Sequence, residues 1–161
     1  MRTVLQRADG ASVTVDGEVV AAFERQGLVA LVGVTHGDGP QEVATTVRKI
    51  AELRILDGER SVLDAGAPVI VVSQFTLHAD VRKGRRPSWN AAAPGSVAEP
   101  VVAQVCAQLR ERGIDVTCFE KSDRVGGNWV FGNKNGMSAA YRSLHINTSR
   151  RTMEFREYPM P

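Results

Sequence analysis

Short apolar runs along the chain predict a strand-rich fold with two helices. Runs that alternate with polar residues or continue unbroken lie at 3–6, 12–15, 18–21, 27–34, 54–57, 61–64, 69–72 and 114–119. Alternation is typical of a half-covered strand, and a continuous β-branched run is typical of a strand covered on both faces. Asp16 and Gly17, between the second and third runs, favour a tight hairpin turn.

Two segments carry apolar residues at helical spacing instead. Pro40 suits a first helical position, and a helix over 40–53 is predicted by Val43, Val47, Ile50 and Leu53. A second helix, ending at Gly113, is predicted by Val101, Val102, Val105 and Leu109. Because Ser96 and Glu99 have the spacing of a capping box, this helix is predicted to begin there.

The most apolar strand, residues 69–72, is followed at once by polar side chains. Ser73, Gln74 and Thr76 come next, with only Phe75 between them. Hydroxyl and amide groups beside such a strand need hydrogen-bond partners, from the fold or from a ligand. The segment is therefore either a satisfied turn or a small polar site, and the pattern alone leaves both open.

A cluster of positive charge follows within ten residues. It surrounds Gly84 and consists of Arg82, Lys83, Arg85 and Arg86, with Trp89 close behind. A cluster of this kind is usually a solvated loop, but cations beside an aromatic ring also hold phosphates and unstacked bases. His78, two residues past Thr76, is a further candidate for the lining of such a site.

Composition adds a few constraints. The 161 residues allow one domain with a moderate core, and 43% hydrophobic with 24% charged residues is typical of a soluble globular protein. No apolar run approaches the length of a membrane helix, and the N-terminus lacks a signal-peptide pattern, so we expect a cytoplasmic protein. Residues 1–112 hold 13 Lys and Arg against 13 Asp and Glu, so attraction of a polyanion depends on the cation cluster. The cysteines and histidines show no metal-ligand spacing.

Several of these segments together resemble one known family. The run Ser73-Gln74-Phe75-Thr76, followed by Ala79-Asp80 and residues 83–88, looks like the signature of the D-aminoacyl-tRNA deacylases. Gln6-Arg7 with residues 11–15 resembles the first hairpin of that family, and residues 27–34 resemble its next strand. The resemblance covers residues 1 to about 112, which we expect to form one deacylase-like domain.

The resemblance implies a fold, an activity and a set of site residues. The fold would be α/β of the α+β type, a mainly antiparallel, barrel-like sheet with two packed helices. The activity would be hydrolysis of the ester between a D-amino acid and tRNA, carried out by a homodimer without metal or organic cofactor. Ser73, Gln74 and Thr76 would be catalytic. The residues that bind the aminoacyl-tRNA acceptor end would be Arg7, Phe75, His78, Arg82, Lys83, Arg85, Arg86 and Trp89.

Residues 113–161 follow a different pattern. Residues 114–129, with 141–144, 147–149 and 158–161, are similar to the flavin-containing monooxygenases. In that family the first stretch belongs to a dinucleotide-binding unit, whose terminal carboxylate, here Glu120, binds the FAD ribose. Such a unit needs a glycine-rich turn near the pyrophosphate, and no Gly-x-Gly-x-x-Gly occurs in the chain, so we expect no flavin site.

The deacylase family's closing motif is missing from this tail. That motif is a Gly-Pro pair that excludes L-amino acids from the partner subunit's pocket, and no Gly-Pro follows Gly39-Pro40 here. We therefore expect impaired activity or weaker chiral selection. Two alternatives stay open. A flavin-dependent monooxygenase fragment would show FAD absorbance, and a non-catalytic tRNA-binding dimer would bind tRNA and leave the ester intact.

Overall fold

Six strands, three helices and one 3₁₀ turn make up the described part of the chain, which comprises residues 1–15, 17–82, 85 and 87–119 of a computed structural model. In chain order they are β1 (Arg2–Ala8), β2 (Ala11–Val15), β3 (Glu18–Phe23), β4 (Gly27–Gly33), α1 (Pro40–Glu52), α2 (Val62–Ala65), β5 (Val69–Ser73), the 3₁₀ turn (Phe75–His78), α3 (Gly95–Glu111) and β6 (Val116–Phe119). Strands β1, β4, β5 and β6 form one sheet in that spatial order, and β2 pairs with β3 in a separate hairpin.

One face of the sheet carries the main core. Leu28, Ala30 and Val32 alternate along β4 and are fully buried, together with Val69 and Val71 of β5. Helices α1 and α3 contribute apolar side chains to the same cluster, namely Val43, Val47, Ile50, Val105 and Leu109. Burial of one such side chain contributes roughly 1.5–3 kcal/mol, so the helices are held to the sheet chiefly by this layer.

The β2–β3 hairpin covers only part of the opposite face. Its Ala21 and Phe23 cluster with Ile70 of β5. Beyond that cluster, Val4 of β1 is 47% exposed and Val19 of β3 is 63% exposed. A single chain therefore leaves apolar surface accessible on β1 and β3.

The α/β class with two packed helices is confirmed, but the sheet is mixed rather than mainly antiparallel. β1 runs antiparallel to β4, with Arg2 opposite Gly33. β5 runs parallel to β4, and β6 runs parallel to β5. The reason is topological, because α1 and α3 are crossover helices that return the chain to begin the next strand in the same direction. The described strands form an open sheet and a hairpin, not a closed barrel.

Two strands predicted ahead of β5 take other forms. Residues 54–57 do not form a strand, and Leu56 makes an isolated β-bridge with Arg60. The next run is the short helix α2. Asp64 N donates to Ser61 Oγ at 3.1 Å, and Ser61 N donates to Asp64 Oδ2 at 3.1 Å. This reciprocal capping box stabilises one helical turn, which the alternation of apolar residues did not reveal.

Helix α3 begins earlier than its sequence predicted. Its N-cap is Pro94, which makes no side-chain hydrogen bond, so Ser96 and Glu99 do not form the predicted capping box. Pro100 consequently lies inside the helix rather than in its first turn. The C-terminal end agrees with the prediction, because Gly113 has φ 77°, a left-handed conformation that glycine adopts without strain.

The first strand of the predicted tail belongs to the sheet. β6 pairs with β5, with Val116 beside Val69 and Cys118 beside Val71. Glu120 and the rest of the monooxygenase-like stretch lie outside the described residues. In the described part, no helix combines the length and apolar character needed to cross a membrane.

Candidate active site at the end of strand β5

The polar segment after β5 folds into the 3₁₀ turn. The Gln74 amide donates to the Val32 carbonyl at 2.8 Å, which extends the β4–β5 pairing by one residue. Leu77 N then donates to Gln74 O at 3.3 Å, and Ala79 N donates to Thr76 O at 3.1 Å. These bonds fix the backbone that carries the predicted catalytic side chains.

Two of those side chains bond each other. Gln74 Nε2 donates to Thr76 Oγ1 at 2.5 Å, while Ser73 is half-buried at the end of β5. Among the described residues, no histidine or carboxylate hydrogen-bonds either hydroxyl. A serine or threonine nucleophile requires an adjacent base. The arrangement therefore positions polar groups and does not visibly activate a hydroxyl.

Gly33 of β4 allows the 3₁₀ turn to lie directly on the sheet. A Cβ atom at this position would meet Gln74 O at 2.9 Å, and it would meet His78 Cδ2 and Leu77 Cβ at 3.1 Å each. A distance of 2.9 Å between a Cβ atom and a backbone oxygen is too short, so the turn or the strand would have to shift. The close approach of the turn thus depends on a glycine at position 33.

Arg2 contacts the turn from the neighbouring strand, and the sequence pattern gave no sign of it. Arg2 Nη1 donates to Leu77 O at 2.8 Å across a separation of 75 positions. The antiparallel pairing places Arg2 opposite Gly33, the residue on which the turn lies. Only the register of β1 against β4 could have indicated this contact.

His78 lies beneath the turn rather than on its surface. Its side chain is buried, with 6% of the residue exposed, and its Nε2 has no hydrogen-bond partner among the described residues. The ring packs beside Gly33. His78 therefore supports the turn from behind, and its contact with a substrate stays a prediction that the single chain does not favour.

Phe75 and Trp89 form an exposed aromatic pair beside the turn. Their ring centroids lie 6.0 Å apart with an angle of 71° between planes, an edge-to-face arrangement. They are 56% and 42% exposed. Trp89 is held near the turn because the following loop returns to the end of β4, where Ala93 N donates to Val34 O at 2.9 Å.

The loop that carries the cation cluster is closed by its own backbone. Asp80 N donates to Ser88 O at 2.7 Å, and Ser88 N donates to Asp80 O at 2.9 Å. The Asp80 carboxylate accepts from Arg82 Nε at 2.9 Å and from Arg82 Nη2 at 2.7 Å. These hydrogen bonds hold the pKa of Asp80 well below its usual range and raise the pKa of Arg82.

The cation cluster begins at Arg82, four residues after the 3₁₀ turn ends. Arg82 and Arg85 are exposed. Lys83 and Arg86 lie outside the described residues. We call the segment from Asp80 to Ser88 the cationic loop.

Arg7 lies at the opposite end of the sheet from Ser73. Arg7 is paired with Leu28 of β4, and Leu28 lies beside Val69 of β5. Ser73 is four residues further along β5 than Val69, which corresponds to about 13 Å. Arg7 Nη1 instead forms an ion pair with Asp57 Oδ1 at 2.8 Å. The contact of Arg7 with the substrate, which the resemblance implied, stays a prediction, because within one chain Arg7 lies away from Ser73.

Helix α3 does not provide a cradle for FAD. In a dinucleotide-binding unit, a strand leads through a glycine-rich turn directly into a helix whose N-terminus holds the pyrophosphate. Here the whole segment 74–94 separates β5 from α3, and Gly95 follows Pro94 at the start of the helix. The described residues before β6 therefore do not fit a flavin nucleotide.

Comparison with known proteins connects this site to one family. The family model described as D-Tyr-tRNA(Tyr) deacylase matches residues 4–126. This chain belongs to the D-Tyr-tRNA(Tyr) deacylase family. The D-aminoacyl-tRNA deacylase of Beutenbergia cavernae is 66% identical over 116 residues, which cover 72% of this chain and 82% of that protein. The deacylase of Thermobifida fusca is 62% identical, with the same coverage.

Two solved structures share the fold of this chain. A protein described as c-Myc DNA Unwinding Element Binding Protein superposes with a TM-score of 0.68 at 34% identity, covering 74% of this chain and 85% of its own. A probable eukaryotic D-amino acid tRNA deacylase superposes with a TM-score of 0.62 at 15% identity, covering 77% of this chain and 90% of its own. At this identity the likeness shows the fold alone.

A second family model overlaps the end of the deacylase match. The model described as Flavin-binding monooxygenase-like matches residues 97–161, so the two matches share residues 97–126. The predicted boundary between residues 112 and 113 falls inside this shared stretch and stays a prediction.

Proposed function

We propose that this protein hydrolyses the ester bond between a D-amino acid and tRNA, and so removes mischarged tRNA during translation. One observation carries the proposal. Within the segment shared with the named deacylases, Ser73, Gln74 and Thr76 lie at the start of the 3₁₀ turn, the exposed ring pair joins Phe75 of that turn to Trp89, and the cationic loop begins two residues after the turn. Polar groups for an ester, a surface for a base and charges for phosphates thus occur side by side.

The chemistry asks little of the protein, because an aminoacyl ester is already activated. A site must orient a water molecule or the ribose 2′-hydroxyl and stabilise the developing oxyanion. The Gln74 amide already donates to Val32 O. The amides of Phe75 and Thr76, which have no partner among the described residues, are therefore the donors we assign to the amino-acid carbonyl.

We assign Thr76 a positioning role rather than that of a nucleophile. Its Oγ1 accepts a hydrogen bond from Gln74 Nε2, and an amide cannot act as a general base. The hydroxyl and the amide together present a small polar surface next to the backbone donors. Loss of the hydroxyl should therefore weaken catalysis without abolishing it.

The exposed rings and the cationic loop would bind the acceptor end of the tRNA. Phe75 and Trp89 offer faces on which an unstacked base can lie, and such stacking contributes about 1–3 kcal/mol per base. Arg82 and Arg85 are exposed in the cationic loop that follows the turn. Phosphate contacts from such residues make binding depend on salt.

We also propose that the protein acts as a homodimer in the cytoplasm. The support for a dimer is the apolar surface on β1 and β3, where Val4, Val19 and Val20 are exposed in a single chain. Apolar surface of this kind marks an interface when it is contiguous.

The test is release of the amino acid from D-Tyr-tRNA by the purified protein. We expect hydrolysis well above the spontaneous rate. We expect the T76A variant to retain at least about a tenth of that rate, because one positioning hydrogen bond contributes about 0.5–1.5 kcal/mol, or roughly ten-fold at most. T45A, the same change at an exposed position of α1, is the matched control and should leave the rate unchanged.

Two results would separate the parts of this proposal. If folded wild-type protein released no amino acid, the assignment of deacylase activity to this chain would be wrong. If T76A lost activity about a thousand-fold while T45A did not, the deacylase function would stand and the positioning role of Thr76 would fail.

A further inference from the structure

The fold brings together two cysteines that play no part in the proposed deacylase site. Cys106 is buried in α3, and Cys118 is half-buried in β6. Cys118 packs against the buried core cluster to which Cys106 belongs. Neither forms a disulfide in the structure. The two cysteines therefore lie close together across the boundary between helix and strand.

The geometry of the α3–β6 connection explains this proximity. From Cys106 to Arg110 the helix descends four residues, or about 6 Å. From Val116 to Cys118 the strand climbs back two residues, or about 7 Å. Arg110 Nη2 and Nε donate to Val116 O at 3.1 and 3.3 Å, which ties the last turn of α3 to the start of β6. Because α3 and β6 leave this connection over similar distances, Cys106 and Cys118 come to lie at about the same height.

The connection is also held rigidly. Gly113, in the left-handed conformation, ends α3, and Ile114 N donates to Leu109 O at 3.2 Å to close the helix terminus. On the strand, Cys118 lies beside Val71 of β5 and packs against the core that contains Cys106. The proximity of the thiols is thus imposed by the packing of α3 on β6.

We propose that Cys106 and Cys118 form an oxidisable dithiol site, in which a two-electron oxidant of the peroxide class closes a disulfide between α3 and β6. The Cys118 sulfur attacks one peroxide oxygen, the O–O bond breaks, and water leaves, which gives a sulfenic acid. The Cys106 sulfur then attacks the Cys118 sulfur, and the sulfenic oxygen leaves as a second water with the Cys106 proton. Two thiols and one hydrogen peroxide thus yield one disulfide and two waters.

The order of the two steps follows from the surroundings of the thiols. The hydrogen bond with Cys118 and burial both raise the pKa of Cys106, so its thiolate is scarce and it cannot meet an oxidant in solution. Cys118 is partly accessible. Cys118 therefore reacts first, and Cys106 resolves the sulfenic acid.

The cross-link would fasten the first strand of the predicted tail to the deacylase body. It would close a loop of about a dozen residues, and such a closure restricts the unfolded chain. The disulfide would also lie two residues along from Ser73, because Cys118 is level with Val71 of β5. This inference does not depend on the deacylase activity.

The test uses the full-length protein, reduced and then treated with hydrogen peroxide. We expect the intact mass to fall by two hydrogens and to recover with dithiothreitol. Trypsin cuts after Arg110 and Arg112, between the two cysteines, so a non-reduced digest should contain one linked peptide pair carrying Cys106 and Cys118. The melting temperature of the oxidised protein should rise by about 5 °C or more.

The single variants C106S and C118S provide matched controls. C106S keeps the partly accessible Cys118 thiol and should gain oxygen or form adducts, whereas C118S keeps only the buried Cys106 thiol and should stay unmodified. Neither variant should lose two hydrogens within one chain. The proposal would be overturned if the wild-type digest showed each cysteine oxidised separately, or linked only between two chains. The wild-type digest decides this even if a variant folds poorly.

Discussion

Asp80 illustrates at the scale of one residue how the cationic loop is shaped. Its backbone closes the loop against Ser88, and its carboxylate accepts three hydrogen bonds from Arg82, from Nε, Nη2 and the amide nitrogen. The Asp80 carboxylate therefore fixes the orientation of the Arg82 guanidinium. A cation that is fixed in this way loses less conformational entropy when it contacts a phosphate.

The D80N variant tests this arrangement. Asparagine keeps the size of the side chain and lets the backbone pair with Ser88 persist, but it removes the charge that orients Arg82. Because the pair is exposed, we expect KM for D-Tyr-tRNA to rise only about 2- to 5-fold, with kcat unchanged. E99Q, the same chemical change on the exposed surface of α3, should leave both constants as they are.

The pH dependence of this effect follows from the pKa of Asp80. The hydrogen bonds from Arg82 lower that pKa, so the ion pair is complete above the usual carboxylate range and is lost only as the pH falls through the lowered value. The ratio of KM between D80N and wild type should therefore stay constant between about pH 5 and pH 8. A ratio that falls towards one at the acidic end would contradict this account.

At the scale of elements, the position of the 3₁₀ turn on β4 decides whether the site exists. The turn is held by Arg2 from β1 and lies against Gly33 with no space for a side chain. Its N-terminal residues carry the backbone amides that we assign to the substrate carbonyl. A displacement of the turn by a few tenths of an ångström would misplace these donors, and rates are sensitive to such shifts.

The G33A variant should produce this displacement. The added Cβ would meet the Gln74 carbonyl at 2.9 Å, so either the turn or β4 must move, at a cost of about 1–3 kcal/mol. We expect hydrolysis to fall at least about ten-fold in protein that still folds, measured beside the melting temperature. G37A is the matched control, because a Cβ at Gly37 meets nothing within 4 Å. If G33A and G37A hydrolysed the ester at equal rates, the position of the 3₁₀ turn would have no role in the mechanism.

At the scale of the whole molecule, this chain differs from its relatives in its C-terminal part. The deacylase match ends at residue 126, and the monooxygenase-like match continues to residue 161. No Gly-Pro pair occurs beyond Gly39-Pro40. The family resemblance implies that this pair excludes L-amino acids from the pocket, so we expect its absence to remove a steric basis for chiral selection.

We therefore expect weak discrimination between the D and L esters. Specificity is a difference between two transition-state affinities, and removal of the repulsive element raises the rate for the wrong substrate. The measurement is the ratio of hydrolysis rates for D-Tyr-tRNA and L-Tyr-tRNA, with the Beutenbergia cavernae deacylase as the reference. We expect a ratio at least about ten-fold lower than for that enzyme, and a lower rate on the D ester. Strict preference for the D ester at the reference rate would refute the prediction.

The sequence alone predicted most of the elements, proposed a site after β5 and indicated the family. Apolar periodicity is a local property, and it indicated β1 to β5, α1 and α3 closely, because each element buries a repeating set of its own residues. The sequence Ser73-Gln74-Phe75-Thr76 is also local, and it sufficed to indicate the deacylases. The misjudged elements were those fixed by single contacts, such as the Ser61–Asp64 capping box of α2.

The residues that meet at the candidate site become apparent from the three-dimensional fold. Arg2, Gly33 and Trp89 come to the turn through strand register and loop return, and Arg7 is carried away from Ser73 by the same register. The proximity of Cys106 and Cys118 arises in the same way, from a helix and a strand that run back alongside each other. These juxtapositions depend on long-range packing, and a periodic pattern carries no information about which distant residues it will bring together.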